Sequence, residues 1–441
     1  MRVSHRRRLL PALLAISAAL GTLPAAVRAA DRPEPPELSA SSCADGSSPR
    51  GAMDGDRFST DPAKSWRGKA GQASWWWQAA FPKPRTVGAI LQVVGDHDLA
   101  LRNAPKKYVW QASTDGRTWE DLTETAVEDE RRTFRLHRLT KARQVRALRL
   151  LIREAGEGRF PTLREVEFFA DPRADVRFAP WAVVVSTTGA RKVPGHGRAF
   201  VPLARQCKGW DALAAQNVWL GDFREEFLAA EPRPLCAFLS GNFIDWCQQD
   251  RAHWRGVAEV LKNGRLPMWA ACGGAQGLAI LAEQGTDRPW DCPHCRDPKA
   301  PKSPIYTHIG HTGAPRPCGD YSACVFERGQ HNILQAADDP VFGGLPREFR
   351  AVESHCGQIA WAPRGWLLIA TRGKDALTRT QCLRVKDRYI YAAQFHIEME
   401  GTPETSRVIM GNFLRLAKEW GGYNPDGKAV PEPKPHAAAG P

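Results

Sequence analysis

Leu266 to Ala271 is a short apolar run that breaks at Cys272-Gly273-Gly274 and resumes with helical periodicity from Ala275 to Glu283. Such a break places a thiol on a strand-to-helix elbow, the geometry by which a fold exposes a nucleophile. Trp181 to Ser186, Leu235 to Leu239 and Tyr389 to Phe395 are equally short and apolar. Strands of a mostly parallel sheet read this way when both faces are covered. Between them, Arg251 to Asn263 sets Trp254, Val257, Val260 and Leu261 at helical spacing. The alternation of β and α predicts a doubly wound α/β domain over residues 178–421.

A cysteine attacks a carbonyl carbon as the thiolate, and the positive end of the peptide dipoles at a helix start favours that anion. The resulting oxyanion needs backbone N–H donors. Gly273 offers one without side-chain obstruction, and the turn Ser240-Gly241-Asn242, which follows another strand and lands on the same sheet edge, offers a second. Downstream, Tyr391-Ala-Ala-Gln-Phe-His-Ile-Glu398 supplies His396 as a base. Glu398, two residues on and on the same side of an extended segment, fixes the imidazole tautomer. Singly, a cysteine at a sheet end is a packing residue and a lone histidine a hydrogen-bonded structural group. Together with the glycines they predict an acyl-transfer site.

Residues 37–171 have a different texture, with β-rich runs such as Val87 to Val94, Lys107 to Ser113 and Val145 to Ile152 separated by turn signals. That spacing predicts an all-β sandwich. In the triplet Trp75-Trp76-Trp77 the outer two rings share one face of a strand, so they are expected in the core rather than as a platform for sugar rings. The order Asp54-Gly-Asp56, Ser74-Trp-Trp-Trp-Gln78, Phe81-Pro-Lys-Pro84, Ser113-Thr-Asp-Gly-Arg-Thr-Trp119 and Leu163-Arg-Glu-Val-Glu-Phe168 resembles the discoidin family, the coagulation-factor C-type, galactose-binding-like jelly roll. The resemblance implies glycan or surface binding through loops at one end of the sandwich. It also implies a structural calcium, assigned to Asp54, Asp56, Thr60 and Glu165, against which Asp-Gly-Asp is also ordinary turn chemistry.

Cys272, Gly274, Gln276, Gln394, Phe395, His396 and Glu398 match the nucleophile and His-Glu motifs of class I glutamine amidotransferase domains, which the second half of the chain resembles. The resemblance implies a flavodoxin-like sheet, an oxyanion turn at Gly241 and Asn242 with Gly273, and substrate contacts from Gln276, Ser354 and His355. Ala270 stands where the motif has its first glycine, Ile397 where it has proline, and Asn242 where it has a loop glycine. None of these removes a reacting group. With no synthase domain to receive ammonia, hydrolysis is the simpler expectation. The related γ-glutamyl hydrolases cleave γ-glutamyl amides through a thioester, with water as acceptor and no catalytic cofactor. The expected substrate is thus a small-molecule or peptide amide. The alternative is a carbohydrate- or surface-binding protein that retains the scaffold without catalysis.

Residues 1–30 combine an arginine-rich start, a Leu/Ala-rich stretch and a small-residue exit, the pattern of a secretory signal, with an uncleaved anchor as the disfavoured alternative. A secreted or periplasmic protein without stable membrane insertion is expected. Formal charge is +13, and five arginines leave with the signal. The remaining charges are interspersed in sign, which argues against a nucleic-acid surface. The 11 cysteines leave at least one thiol unpaired in an oxidising compartment. Cys292, Cys295, Cys318 and Cys324 are expected in disulfides, or alternatively as a zinc site. Cys236 with Cys247 is a further candidate pair. Residues 422–441 are expected to be a disordered tail.

Overall fold

The computed structural model describes residues 34–441 except 59–60, 96–100, 158, 188–198, 230, 243, 288–304, 310–319, 323, 375, 425–433 and 436–441; the Cys247 side chain is also not described. The segment expected to be a signal sequence, Thr60, Cys292, Cys295 and Cys318 therefore lie outside the described residues.

The N-terminal half is an antiparallel β-sandwich. Two long strands, Trp75–Val94 and Phe134–Ala155, pair with each other and organise the rest. Their shared register slips between Ala80 and Arg85 and again between Val87 and Ala89. Such irregularities bend a strand, so one segment serves both layers. Pro105–Ser113 adds on one side and Thr162–Phe169 on the other. Trp75 and Trp77 point inward, as their spacing requires, and Trp76 is half-buried. Trp77 meets Trp110 edge to face, their ring centroids 6.2 Å apart. The indole N–H of Trp77 donates to Pro49 O at 2.9 Å and that of Trp110 to Gln92 Oε1 at 2.8 Å, so neither ring buries an orphaned donor.

The C-terminal half is built on a nine-stranded sheet. Ala214–Trp219, Trp181–Ser186, Cys236–Leu239, Met268–Ala271 and Ile390–Ala393 run parallel, in that spatial order. Beyond them, Thr380–Val385, Trp366–Thr371, Glu327–Gln335 and Glu348–His355 continue the sheet antiparallel. The expectation of a mostly parallel sheet thus holds only for the five strands at one end of it. Thr380–Val385, Glu327–Gln335 and Glu348–His355 interleave polar and apolar residues, while Trp366–Thr371 is an apolar run whose antiparallel pairing the pattern does not specify.

Both faces of the parallel half are covered. Met268 and Ala270 pack with Trp254, Val257, Val260 and Leu278 on one face. Trp269 and Ala271 pack with Phe413, Leu414 and Ala417 on the other. The covering helices are Arg255–Asn263 and Gly273–Gln284 on the first face and Pro403–Trp420 on the second. Asn263 and Trp420 are each followed by a left-handed glycine, Gly264 and Gly421, which ends the helix.

The sandwich and the mixed sheet belong to one unit, Pro36–Pro441. Phe134 of the sandwich meets Trp181 at a centroid distance of 5.1 Å. Gln216 binds the sandwich backbone twice, accepting from Thr133 N at 3.1 Å and donating to Arg131 O at 2.9 Å. In the predicted disordered tail, Lys434 and Pro435 pair with Asp338 and Ala337, so part of it is held as an extended edge. No described helix is long and apolar enough to cross a membrane.

Candidate active site

Cys272 joins the strand Met268–Ala271 to the helix Gly273–Gln284 with φ +48° and ψ −112°. A non-glycine residue at positive φ costs on the order of 1–3 kcal/mol and persists only where its surroundings impose it. Here the Cys272 N–H donates to Ala393 O at 2.7 Å, which extends the parallel ladder by one bond, while Gln276 N–H donates to Cys272 O at 2.9 Å and starts the helix. The glycines that follow have no room for side chains. A Cβ on Gly274 would sit 2.6 Å from Ser240 O, and one on Gly277 would sit 2.1 Å from the Trp254 ring. The thiol itself is buried and donates to Ser354 O at 3.7 Å.

Ile390–Ala393 lies next to Met268–Ala271, with Ala393 opposite Ala271. The chain leaving that strand therefore brings His396 to the edge where Cys272 turns. His396 N–H donates to Val352 O at 2.8 Å, and Nδ1 lies 2.7 Å from Glu398 Oε1. Nε2 is buried. Burial by itself lowers the His396 pKa, but the charges of Glu398 and Cys272 outweigh it and hold the imidazole well above its ordinary range. A Cβ placed on Gly241 would lie 3.6 Å from His396 Cε1 and 3.8 Å from Cys272 Cβ. Sulfur, imidazole and carboxylate thus meet at one rim, with the Gly241 turn beside them.

The Ser240-Gly241-Asn242 turn is fixed from beneath. Thr187 Oγ1 donates to both Ser240 O and Gly241 O, each at 2.9 Å. The Asn242 side chain folds back onto its own turn, donating to Ile244 O at 2.6 Å and accepting from Gln249 Nε2 at 3.0 Å.

Other sequence-assigned residues have different surroundings. Gln276 is buried, with Nε2 donating to Gly357 O at 2.8 Å and to Gln394 Oε1 at 3.4 Å; it ties the helix to the Gly357 segment and to the chain leaving Ala393. His355 is buried with Nε2 2.6 Å from Glu353 Oε2 and 3.7 Å from Glu327 Oε2. Ser354 touches the thiol through its carbonyl oxygen.

In the sandwich, Asp54 Oδ1 accepts from Asp56 N, Glu165 Oε2 accepts from Gly55 N, and Asp56 pairs with Lys64 at 3.0 Å. Burial, with Asp54 and Glu167 nearby, pushes the Glu165 carboxyl up to about 8. Among the described residues no group of three or more His, Cys, Asp or Glu side chains is arranged to hold a metal.

Cys236 is a buried, unbridged thiol in the strand Cys236–Leu239, and burial pushes its pKa up; the Cys247 side chain named as its candidate partner lies outside the described residues. Nothing in the residue pattern singles out Cys356, which lies close enough to Cys324 and Cys272 to feel the charge of both.

Comparison with known proteins gives a match to the F5/8 type C domain over residues 37–166. The GMP synthase [glutamine-hydrolyzing] of Thermosipho africanus is 34% identical over 88 residues, which is 20% of this chain and 17% of that protein. The chain thus spans under a fifth of that relative's length. A solved protein from Thermoplasma acidophilum, described as one subunit of a GMP synthase, is 20% identical, covers 56% of this chain and 97% of that one, and has a TM-score of 0.40. Chitosan-binding module 1 from the Paenibacillus sp. IK-5 chitosanase/glucanase is 18% identical, covers 30% and 94%, and has a TM-score of 0.26. Residues 37–166 are therefore an F5/8 type C domain, and the chain carries a partial likeness to glutamine-hydrolyzing GMP synthases.

Proposed function

We propose that the protein is an exported, thiol-dependent amide hydrolase acting on a γ-glutamyl or other carboxamide bond, placed at a glycan or surface polymer by its F5/8 type C domain. The observation that carries the reading is the strained elbow at Cys272 beside a histidine whose far nitrogen is held by Glu398 at 2.7 Å. His396 takes the thiol proton, and the Cys272 thiolate adds to the carbonyl carbon. The N–H groups of Gly273 and of the Gly241-Asn242 turn receive the oxyanion. Collapse breaks the C–N bond, and His396 returns its proton to the leaving amine, which departs and leaves a thioester. Water, deprotonated by His396, then adds to the thioester and releases the acid and the thiol. Glu398 keeps the imidazole oriented and stabilises its charged form.

The test is turnover of a γ-glutamyl amide panel by the purified protein, with release of ammonia or amine measured. Turnover that disappears in Cys272→Ala supports the reading. No turnover in the wild type, with glycan binding unchanged in Cys272→Ala, reduces the protein to a binding scaffold.

A further inference from the structure

Tyr306–His308 pairs antiparallel with Gly357–Ile359, and the pairing continues past its end: Ile309 N donates to Cys356 O at 2.7 Å. Ile309 O in turn accepts from Val325 N at 2.9 Å. Ile309 therefore binds the backbone of Cys356 through its N–H and the residue next to Cys324 through its C=O, which brings together two cysteines 32 residues apart in the chain. The two thiols lie close enough for Cys324 to raise the Cys356 pKa. Both are half-buried thiols. Cys356 also directly follows Ser354-His355, the segment whose carbonyl touches the Cys272 thiol.

We propose that Cys324 and Cys356 form a disulfide that closes the wall beside Cys272 and leaves Cys272 as the unbridged thiol at that rim. The arrangement stands whether or not the site is a hydrolase. Burial and the charges of Cys324 and Cys272 push the Cys356 thiol up to about 12, which makes it the poorer attacking group. With a small-molecule disulfide such as oxidised glutathione as oxidant, the Cys324 thiolate attacks one glutathione sulfur and releases the first glutathione thiolate. Cys356, in contact, then loses its proton and attacks the Cys324 sulfur of the mixed disulfide, releasing the second. Two protein thiols are oxidised by two electrons, two glutathione thiols are formed, and both protons end on glutathione. The bridge also removes Cys356 as a competing partner for Cys272.

The experiment is thiol mapping of the full chain, reduced and then equilibrated with excess oxidised glutathione, alkylated and digested for peptide mass analysis. The expected result is a Cys324–Cys356 cross-linked peptide, with alkylation of those two residues down about tenfold or more and that of Cys272 within about twofold of the reduced protein. In Cys356→Ser, checked for folding by circular dichroism, Cys324 should end glutathionylated instead. A Cys272–Cys356 bridge, a bridge from Cys324 to Cys292, Cys295 or Cys318, or full alkylation of both residues in the wild type overturns the proposal.

Discussion

Gly273 and Asn242 come together so closely that a Cβ on the glycine would sit 2.3 Å from both the Cβ and the backbone N of Asn242. The residue after the thiol and the turn after the neighbouring strand therefore interlock, and both expected oxyanion donors stand in one patch. Backbone on both sides cannot yield as a flexible side chain would. Gly273→Ala should thus cost about 1–3 kcal/mol through overpacking. It should also cut alkylation of Cys272 by an electrophilic glutamine analogue by displacing the elbow. Unchanged denaturation midpoint and labelling rate would show that the two segments separate freely.

His396 carries a signed pH dependence. Its folded pKa lies well above the unfolded value of about 6.5. The folded state therefore holds the proton longer. The stability this contributes is complete below about pH 6.5 and is lost as pH rises through the folded value. The wild-type advantage over His396→Gln should shrink from about pH 6 to about pH 9 in urea unfolding. An advantage that grows with pH would contradict the Glu398 and Cys272 contacts.

Glu398→Gln keeps the size of the side chain and removes the charge that holds Nδ1. If His396 acts as base, turnover should fall by about 10²- to 10⁴-fold with little change in KM. Equal losses in folding midpoint and activity would instead mark Glu398 as structural.

Gln276 separates a structural role from substrate binding. Gln276→Ala leaves Gly357 O buried without its 2.8 Å donor and should destabilise the fold by about 1–3 kcal/mol. Binding of substrate by the folded variant should change little. A raised KM at unchanged stability would return Gln276 to the pocket.

The Phe134 ring joins the two sheets, so Phe134→Ala should cost about 3–5 kcal/mol. It should also split one calorimetric transition into two as the halves lose their shared core. A single, unshifted transition would place the coupling elsewhere, for example at Gln216.

The elbow was legible because its pattern is local: four apolar residues ending at a cysteine, two glycines, then helical spacing. The tryptophan triplet was legible for the same reason, since alternation alone sends Trp75 and Trp77 to one side. Four antiparallel strands were not. Glu327–Gln335 and Glu348–His355 set charged and polar residues among their apolar ones and read as polar loops until their pairing is known. The contacts of Gln276 with Gly357 and Gln394 were not legible, because a motif position says which residue is present, not which carbonyl it meets. The contact of Cys324 with Cys356 depends on Ile309 bridging two backbones, which no spacing along the chain encodes.

The sequence alone determined the reacting groups and the local turns that carry them, because a strand, a glycine break and a helix start are fixed by neighbours a few residues apart. Only the tertiary structure decided that Ala393 lies opposite Ala271 and so sets His396 beside Cys272. It also decided that the sandwich shares its core with the sheet through Phe134 and Trp181. Those outcomes come from burying two faces of one sheet at once, a condition on residues far apart in the chain.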